Sequence, residues 1–274
     1  RNKTCKKSKK TFTQALSWLD QSRGYYNCRA KHRKETLITL RSKILSAYIL
    51  LIVSGCSFSE ASISPEGNLE VFGPSHGFSK ENIPNDWVIE GSNYKELFSR
   101  NLIINDIGDT PILRLISSKE SFVLLRRTKA NLLASPFLGW SWNVTTSLGQ
   151  TVPISIIIGF YGGDPKSRSW GSQPLVYLGT RVPPHDRTIA IVWGTSSDAK
   201  GIIKMKHKFP SYIARTGSND SKTWLNENID LSRLYRRIWP KDNLVRTRIM
   251  FVGFTSASTS SPMTAEFGDV VLYR

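Results

Sequence analysis

The residues best suited to ligand chemistry lie in and around a polar loop that runs from Gly162 to Gly171. A flat aromatic ring can stack on the apolar face of a sugar, while carboxylate and guanidinium groups hydrogen-bond to its hydroxyls. The loop and the ends of two neighbouring apolar runs hold this combination of side chains. The sequence therefore predicts a ligand-binding rim formed by Tyr161, Asp164, Arg168, Trp170 and Trp193. The alternative is that these aromatic rings cover the ends of the fold.

Catalytic signatures are weak. Acids for a glycosidase pair would come from Asp164, Asp186, Glu266 and Asp269, although aspartate is also common in turns. The segment Gly139-Trp140-Ser141-Trp142-Asn143 departs from a nucleophile elbow at its last position. Trp140 and Trp142 share one strand face, which predicts that they pack in the core. We therefore assign no catalytic residue.

Metal and cofactor signatures are also lacking in the sequence. No two of the four histidines stand at metal-ligand spacing. The chain has no phosphate-binding glycine loop and no dinucleotide fingerprint. We expect no metal and no cofactor.

An export signal is predicted before Cys56. Arg41 and Lys43 precede an uncharged apolar run, Ile44 to Val53, and Ser54-Gly55-Cys56 follows. A positive flank, a short apolar core and small residues before a cleavage point are typical of a secretory signal. The last four residues, Val53 to Cys56, resemble the bacterial lipobox, which implies lipid attachment at Cys56. Ser57, which stands where an inner-membrane lipoprotein would carry Asp, favours the outer membrane, facing the periplasm. The alternative is a buried strand or short core helix.

The N-terminal part carries most of the net charge. Of the formal net charge of +17, residues 1–55 hold +11 and the remaining 219 residues hold +6. The body is therefore only mildly basic, and we expect no nucleic-acid partner. Residues 1–36 form a basic segment. We expect it to be either a product of translation upstream of the true start or a cytoplasmic tail. We predict a signal peptide over 37–55, the lipidated cysteine with a flexible tether over 56–77, and the folded domain over 78–274.

The folded domain is predicted to be all-β. Short runs of β-branched and aromatic residues are separated by Gly, Pro, Asn and Ser, which favours strands. With no helices between them, they predict an antiparallel β-sandwich of the jelly-roll type. The candidate strands are Pro111–Ile116, Phe122–Arg126, Leu138–Val144, Ile154–Tyr161, Leu175–Gly179, Thr188–Trp193, Tyr212–Thr216, Arg248–Phe254 and Asp269–Arg274.

One short amphipathic helix interrupts this pattern. Asp230 can cap it, and Pro240 ends it. The apolar positions between them recur at helical spacing: Leu231, Leu234, Tyr235, Ile238 and Trp239. Farther upstream, the alternating lysines between Lys200 and Lys208 predict an edge strand or loop protected by charge.

Taken together, several stretches resemble an uncharacterised bacterial family, domain of unknown function 3047. They are Trp87, Pro111–Leu115 with Ser117-Ser118, Pro136–Val144, Ile189–Gly194, Trp224 before the helix, and Glu266–Tyr273. The resemblance implies a sandwich domain related to carbohydrate-binding modules, and it implies no activity.

These observations predict a membrane-anchored envelope lipoprotein whose sandwich binds a glycan or another envelope component without turning it over. Two alternatives remain open at this point. One is an envelope hydrolase that acts on glycans through loop carboxylates, and the other is a structural lipoprotein that binds an envelope protein.

Overall fold

Two β-sheets form the described part of the chain. The computed structural model describes residues 59–73, 83–91, 94–107, 110–146, 149–168, 181–205, 209–218 and 223–274. Cys56, the predicted signal and basic segments, and the predicted strand Leu175–Gly179 lie outside these residues. The strands are β1 Leu69–Glu70, β2 Trp87–Gly91, β3 Leu102–Ile107, β4 Thr110–Ile116, β5 Phe122–Asn131, β6 Phe137–Val144, β7 Ile154–Tyr161, β8 Arg187–Gly194, β9 Ile203–Lys204, β10 Ser211–Thr216, β11 Leu225–Asp230, β12 Arg248–Ser256 and β13 Thr264–Tyr273.

The strands divide between a six-stranded and a seven-stranded sheet. The six-stranded sheet has the order β11-β6-β13-β4-β3, and β1 also pairs with β13. The seven-stranded sheet has the order β2-β5-β12-β7-β8-β10-β9. Strands β4 to β7 alternate between the sheets, and so do β11 to β13, which is jelly-roll-like connectivity. The predicted all-β sandwich is confirmed, with one difference: β8 and β10 pair in parallel.

The core lies between the two sheets. On β7, Ile156 and Ile158 point into it, and Trp140 and Trp142 enter it from β6. The rings of these two tryptophans meet edge to face at 5.5 Å, as their shared strand face predicted. Ser141 between them points to the opposite face and lies within a strand, so the nucleophile-elbow geometry is absent at this position.

The predicted helix is confirmed: it begins directly after Asp230 and ends before Pro240. We label it α2, Leu231–Ile238, since a shorter helix, α1, spans Tyr94–Arg100. The Asp230 side chain accepts a hydrogen bond from the Arg233 N–H at 2.9 Å, which caps the first turn. Leu231, Leu234 and Tyr235 are buried. The sequence did not predict α1, because a helix of 7 residues is too short to show a repeating apolar pattern.

The domain begins earlier than predicted. The composition of residues 56–77 predicted a flexible tether, but Leu69, Val71 and Phe72 are buried and β1 pairs with β13. Arg126 holds this segment by donating to the carbonyl oxygens of Glu70 and Val71 at 2.7 and 2.8 Å. The reason is that the run Leu69 to Phe72 has three apolar side chains, and their burial favours an ordered segment. The Ser- and Gly-rich flanks had predicted flexibility instead.

The edge prediction for the lysine-rich segment is confirmed where it is described. Ile203–Lys204 forms β9, the edge strand of the seven-stranded sheet. No helix in the described residues is both long and apolar enough to cross a membrane.

Candidate functional site: a cleft on the seven-stranded sheet

The outer face of the seven-stranded sheet has an apolar centre, although it points away from the core. Strand pairing aligns its side chains in rows that cross the sheet. The central row is Val88, Leu125, Gly253, Ile157 and Ala190. A second row is Glu90, Val123, Thr255, Ser155 and Val192, and a third is Arg127, Phe251, Gly159 and Thr188. The buried members of the central row and Phe251 form a hydrophobic cluster separate from the main core.

Two glycines shape the middle of this face. A methyl group on Gly253 would lie 2.6 Å from the Leu125 Cβ and 2.8 Å from a backbone oxygen. A methyl group on Gly159 would lie within 2.6 Å of three ring carbons of Phe251. The Phe251 ring therefore occupies the space that a side chain at position 159 would need. Small residues at these points let the aromatic ring lie flat on the strands.

A loop forms one wall of the cleft, and Arg127 positions it. The Arg127 guanidinium is buried and donates to the Arg181 carbonyl oxygen at 2.8 Å and to the Asn85 carbonyl oxygen at 2.7 Å. Burial lowers the pKa of Arg127, and the nearby positive charge of Arg181 lowers it further. Since arginine stays protonated regardless, this cation anchors the segment after Arg181 to the sheet.

Together the rows and the loop enclose a cleft of ≈ 320 Å³. Its apolar surface includes two aromatic side chains, Phe251 from the sheet and Phe209 from the loop before β10. The His185 ring meets the Phe251 ring edge to face at 5.1 Å. The lining residues are Glu90, Val123, Leu125, Ile157, Val182, His185, Asp186, Thr188, Phe209 and Phe251. An apolar floor with a few polar groups at its margins is the usual composition of a small-molecule or saccharide site.

The Asp186 carboxyl is the most perturbed acid in the cleft. Its Oδ2 accepts a hydrogen bond from the Gly162 N–H at 3.0 Å. Its Oδ1 is buried, and within the part of the chain that the structure describes it has no hydrogen-bond partner. Burial raises the pKa of Asp186, and the charges of Asp164 and Asp242 raise it further, while the Gly162 N–H and Arg187 oppose the shift. An acid with these properties in a cleft is a candidate ligand-contacting group.

Beside Asp186, an ion-pair network joins α2 to the seven-stranded sheet. The Arg187 guanidinium contacts both carboxylate oxygens of Asp242, at 2.9 and 3.1 Å, and one oxygen of Asp164 at 3.1 Å. The Tyr235 hydroxyl donates to Asp242 at 2.7 Å. Burial and this hydrogen bond raise the pKa of Tyr235 above its usual range. Because each of these groups is engaged within the protein, the network has a structural role.

The two carboxyls that line the cleft are too far apart to act as a glycosidase pair. Glu90 lies on β2 and Asp186 directly precedes β8, with three strands between them. Four strand spacings of about 4.8 Å separate their backbones by roughly 19 Å. Retaining and inverting enzymes need carboxyl separations of about 5 to 9.5 Å. Among the described residues, no group of three or more His, Cys, Asp or Glu is placed to hold a metal ion.

Family comparison identifies the domain. The profile of a family described as "Protein of unknown function (DUF3047)" matches residues 99–271, which include most strands of both sheets. The chain belongs to the DUF3047 family. No curated protein matches the sequence.

The DUF3047 chain also has distant similarity to solved structures. The family 12 xyloglucanase from Bacillus licheniformis is 11% identical with a TM-score of 0.35, over 79% of this chain and 100% of that one. The xyloglucanase domain of NopAA from Sinorhizobium fredii is 10% identical with a TM-score of 0.36, over 80% and 100%. The Trichoderma harzianum endoglucanase 3 from family GH12 is 10% identical with a TM-score of 0.35, over 80% and 96%. TM-scores this low do not indicate a shared function.

Of the five residues predicted to form a rim, the structure describes the side chains of Tyr161, Asp164 and Trp193. Trp193 is only 2% exposed; its ring packs on Trp142 at 5.0 Å and its Nε1 donates to the Gly217 carbonyl oxygen. It is therefore a core residue, because the inward alternation of β8 continues to its end. Asp164 belongs to the Arg187 network, and Tyr161 is half-buried at the end of β7. Arg168 ends a 3-10 turn, Pro165–Arg168, and both its side chain and Trp170 lie outside what the structure describes.

Sequence reasoning missed most of the cleft in the DUF3047 domain. Of its lining residues only Asp186 was a candidate, as one of several possible acids. Glu90, Phe209 and Phe251 come from segments far apart in the chain, and strand register alone brings them together. One signal was available: β12 has a glycine, Gly253, among large apolar residues, which is typical of close backbone or ring approach.

Proposed function

We propose that the cleft on the seven-stranded sheet binds a glycan chain without cleaving it. The observation that carries this proposal is the apolar cluster of the central row and Phe251, with hydrogen-bonding groups at the two ends of the cleft. A saccharide chain has apolar ring faces and hydroxyl edges, so its faces would lie on Phe251 and Phe209. Its hydroxyls would meet Glu90 at one end and Asp186 and Thr188 at the other.

The spacing of the carboxyls supports binding over hydrolysis. Glu90 and Asp186 stand about four strand spacings apart in the sheet, roughly 19 Å, which leaves no described pair in the cleft within the range that glycosidases use. One observation favours the second candidate, a hydrolase: the raised pKa of Asp186, which suits a general acid. Reducing-end analysis of glycans incubated with the protein distinguishes the two, because a hydrolase would release products that Asp186→Asn abolishes.

The binding test uses the full chain with two cleft variants and two matched controls. Phe209→Ala removes an aromatic wall and Glu90→Gln removes a charge while keeping its shape. Leu133→Ala and Glu96→Gln make the same changes on exposed surface away from the cleft. Titration calorimetry against envelope and plant oligosaccharides should show saturable binding that each cleft variant weakens by about tenfold, or 1.4 kcal/mol. The controls should bind as the wild type does.

Two results would argue against this function. Equal affinity in cleft and control variants would place the site elsewhere. Absence of binding to every glycan would favour an envelope protein as the partner, which crosslinking in intact cells would then identify.

We also propose that Cys56 anchors the domain to a membrane, in the outer membrane facing the periplasm. The support is the basic flank, apolar run and small residues before Cys56. A multiply acylated cysteine gives stable attachment, whereas a single acyl chain does not. In a bacterial host, the wild-type chain should partition into detergent with a lipid-sized mass increase, and Cys56→Ser should abolish both. Unchanged partitioning and mass in the variant would refute the anchor.

A further inference from the structure

The outer face of the six-stranded sheet carries a row of polar side chains. The outer face of the other sheet, in contrast, has an apolar centre. Asn226 pairs with Ser141 and Asn228 pairs with Gly139 across β11 and β6. These residues alternate with inward-pointing Trp140 and Ile229. Since β11 is the edge strand of this sheet, the polar row is open to ligands on one side.

A bulge in β13 turns Asp269 onto the same face. Gly268 pairs with Ser141 and Val271 pairs with Gly139, so β13 has one extra residue in this interval. Asp269 has a φ of 50°, a left-handed conformation that in such bulges is usually adopted by glycine. Aspartate is one of the few non-glycine residues that adopt this conformation readily. Here the extra residue directs a carboxylate outward beside Ser141.

The hydroxyl of Ser141 lies between Asn226 and Asp269. Its Oγ lies 2.8 Å from the Asn226 Oδ1 and 3.0 Å from the Asp269 Oδ2. A carboxylate accepts several hydrogen bonds, so Asp269 can accept from an incoming donor as well as from Ser141. The Ser141 oxygen in turn can accept a hydrogen bond. A ligand hydroxyl, which donates and accepts, matches this arrangement.

Asp269 also joins two hollows on this face. One, of ≈ 580 Å³, is lined by Gly139, Trp140, Ser141, Asn226, Glu227, Asn228, Asp269, Val271 and Tyr273. The other, of ≈ 320 Å³, is lined by Glu70, Phe72, Gly73, Thr110, Pro111, Asp269, Val270 and Val271. Both are lined in part by Asp269 and Val271, so they adjoin along β13. None of the described lining residues is a lysine or arginine, which disfavours an anionic ligand.

Aromatic rings lie at both ends of the polar row. Trp224 is 37% exposed, and a methyl group on Gly268 would lie 3.6 Å from its ring. At the other end the Tyr273 ring stacks on Phe137 at 5.5 Å, and its hydroxyl accepts a hydrogen bond from Asn228. Trp224 and Asn228 are about 13 Å apart along an extended strand. The surface therefore has an aromatic platform, a row of amides and hydroxyls, and a second ring.

We propose that this surface, formed by Trp224, Asn226, Ser141, Asp269 and Tyr273, is a second binding site for a neutral glycan chain. A sugar ring stacks on Trp224, and the following hydroxyls pair with Ser141 and Asp269. This site is separate from the cleft, since the two lie on opposite outer faces of the sandwich. A domain with both sites binds two glycan segments at once and links neighbouring strands.

The test measures binding to the full chain with cellohexaose and a xyloglucan heptasaccharide as probes. Titration calorimetry gives the affinity of every variant, and the difference in acrylamide quenching between the wild type and Trp224→Phe isolates the signal of Trp224, whose side chain is exposed. Trp224→Ala removes the platform and Trp224→Phe retains a ring. Asp269→Gly removes the carboxylate while suiting the backbone conformation. The cleft variant Phe209→Ala serves as the control for the other face.

At least one probe should protect Trp224 from quenching in a saturable manner. Trp224→Ala and Asp269→Gly should each weaken this binding at least tenfold with unchanged thermal unfolding, and Trp224→Phe should weaken it less. Phe209→Ala should leave it unchanged, even if cleft binding is lost. Unaltered affinity in both Trp224→Ala and Asp269→Gly, or no protection of Trp224 by either probe, would overturn the proposal.

Discussion

The contact between Phe251 and Gly159 gives a sharp test of the cleft floor. Phe251→Ala removes a buried ring and should lower the free energy of unfolding by about 3–5 kcal/mol. Gly159→Ala adds one methyl group that would lie within 2.6 Å of three carbons of that ring. The nearest ring carbon would be 2.1 Å away, whereas ordinary carbon contacts are about 3.5–4.0 Å, so the ring must move by roughly 1.5 Å. The cost of such overpacking is about 1–3 kcal/mol.

The double variant should be more stable than the sum of the single changes predicts. Without the Phe251 ring, the new methyl group at position 159 fills part of the vacated space. The cost of Gly159→Ala should therefore fall to about zero in the Phe251→Ala background. This gives a coupling energy of about 1–3 kcal/mol, well above the deviation of about 0.5 kcal/mol seen for independent sites.

Urea unfolding of the full chain, followed by circular dichroism, measures this double-mutant cycle. The control pairs Gly159→Ala with Leu113→Ala, a fully buried residue of the six-stranded sheet, and these two changes should be additive. Additivity within about 0.5 kcal/mol for the Phe251 cycle would refute the placement of the ring over Gly159, and with it the shape of the cleft floor.

Two further predictions concern the wall of the cleft. Arg127→Met leaves the carbonyl oxygens of Asn85 and Arg181 without their donor, which should cost about 3 kcal/mol of unfolding free energy; chemical denaturation should show no such loss for the exposed control Arg248→Met. The pKa of Asp186 is raised by burial, so this group contributes stability below its unfolded pKa and loses it as pH rises through the folded value. Asp186→Asn should therefore become increasingly stabilising, relative to the wild type, as the pH is raised from 3 to 7. A stability difference that is flat across this range would contradict the assignment.

The fold was largely predictable from local pattern. Ile154–Tyr161 begins and ends where its β-branched run predicts, and Asp230 caps α2 as its side chain suggested. Strands with polar or acidic residues, such as Asn226 and Glu227 in β11 or Asp106 in β3, were missed. Their strand conformation comes from pairing with β6 and β4, because cross-strand contacts override weak intrinsic propensity.

The candidate site was much less predictable. Trp193 was predicted to lie at a ligand-binding rim, but it lies in the core. Phe209 and Glu90 line the cleft, although no sequence pattern singled them out. A period of two tells which residues share a face, but it does not tell whether that face meets the other sheet or a ligand. On β7, Ile156 and Ile157 are equally apolar, yet one packs in the core and the other lies in the cleft floor.

The sequence by itself determined that this chain is a β-sandwich with one capped helix, since alternation, turn residues and caps act over a few neighbouring positions. Its resemblance to the DUF3047 family was likewise carried by short local stretches. Only the tertiary structure decided the cleft, the Arg127 anchor and the polar surface around Asp269. Each of these depends on strand register and on a bulge, which bring together residues from distant parts of the chain. Register is fixed by the packing of the whole core, and no local segment contains that information.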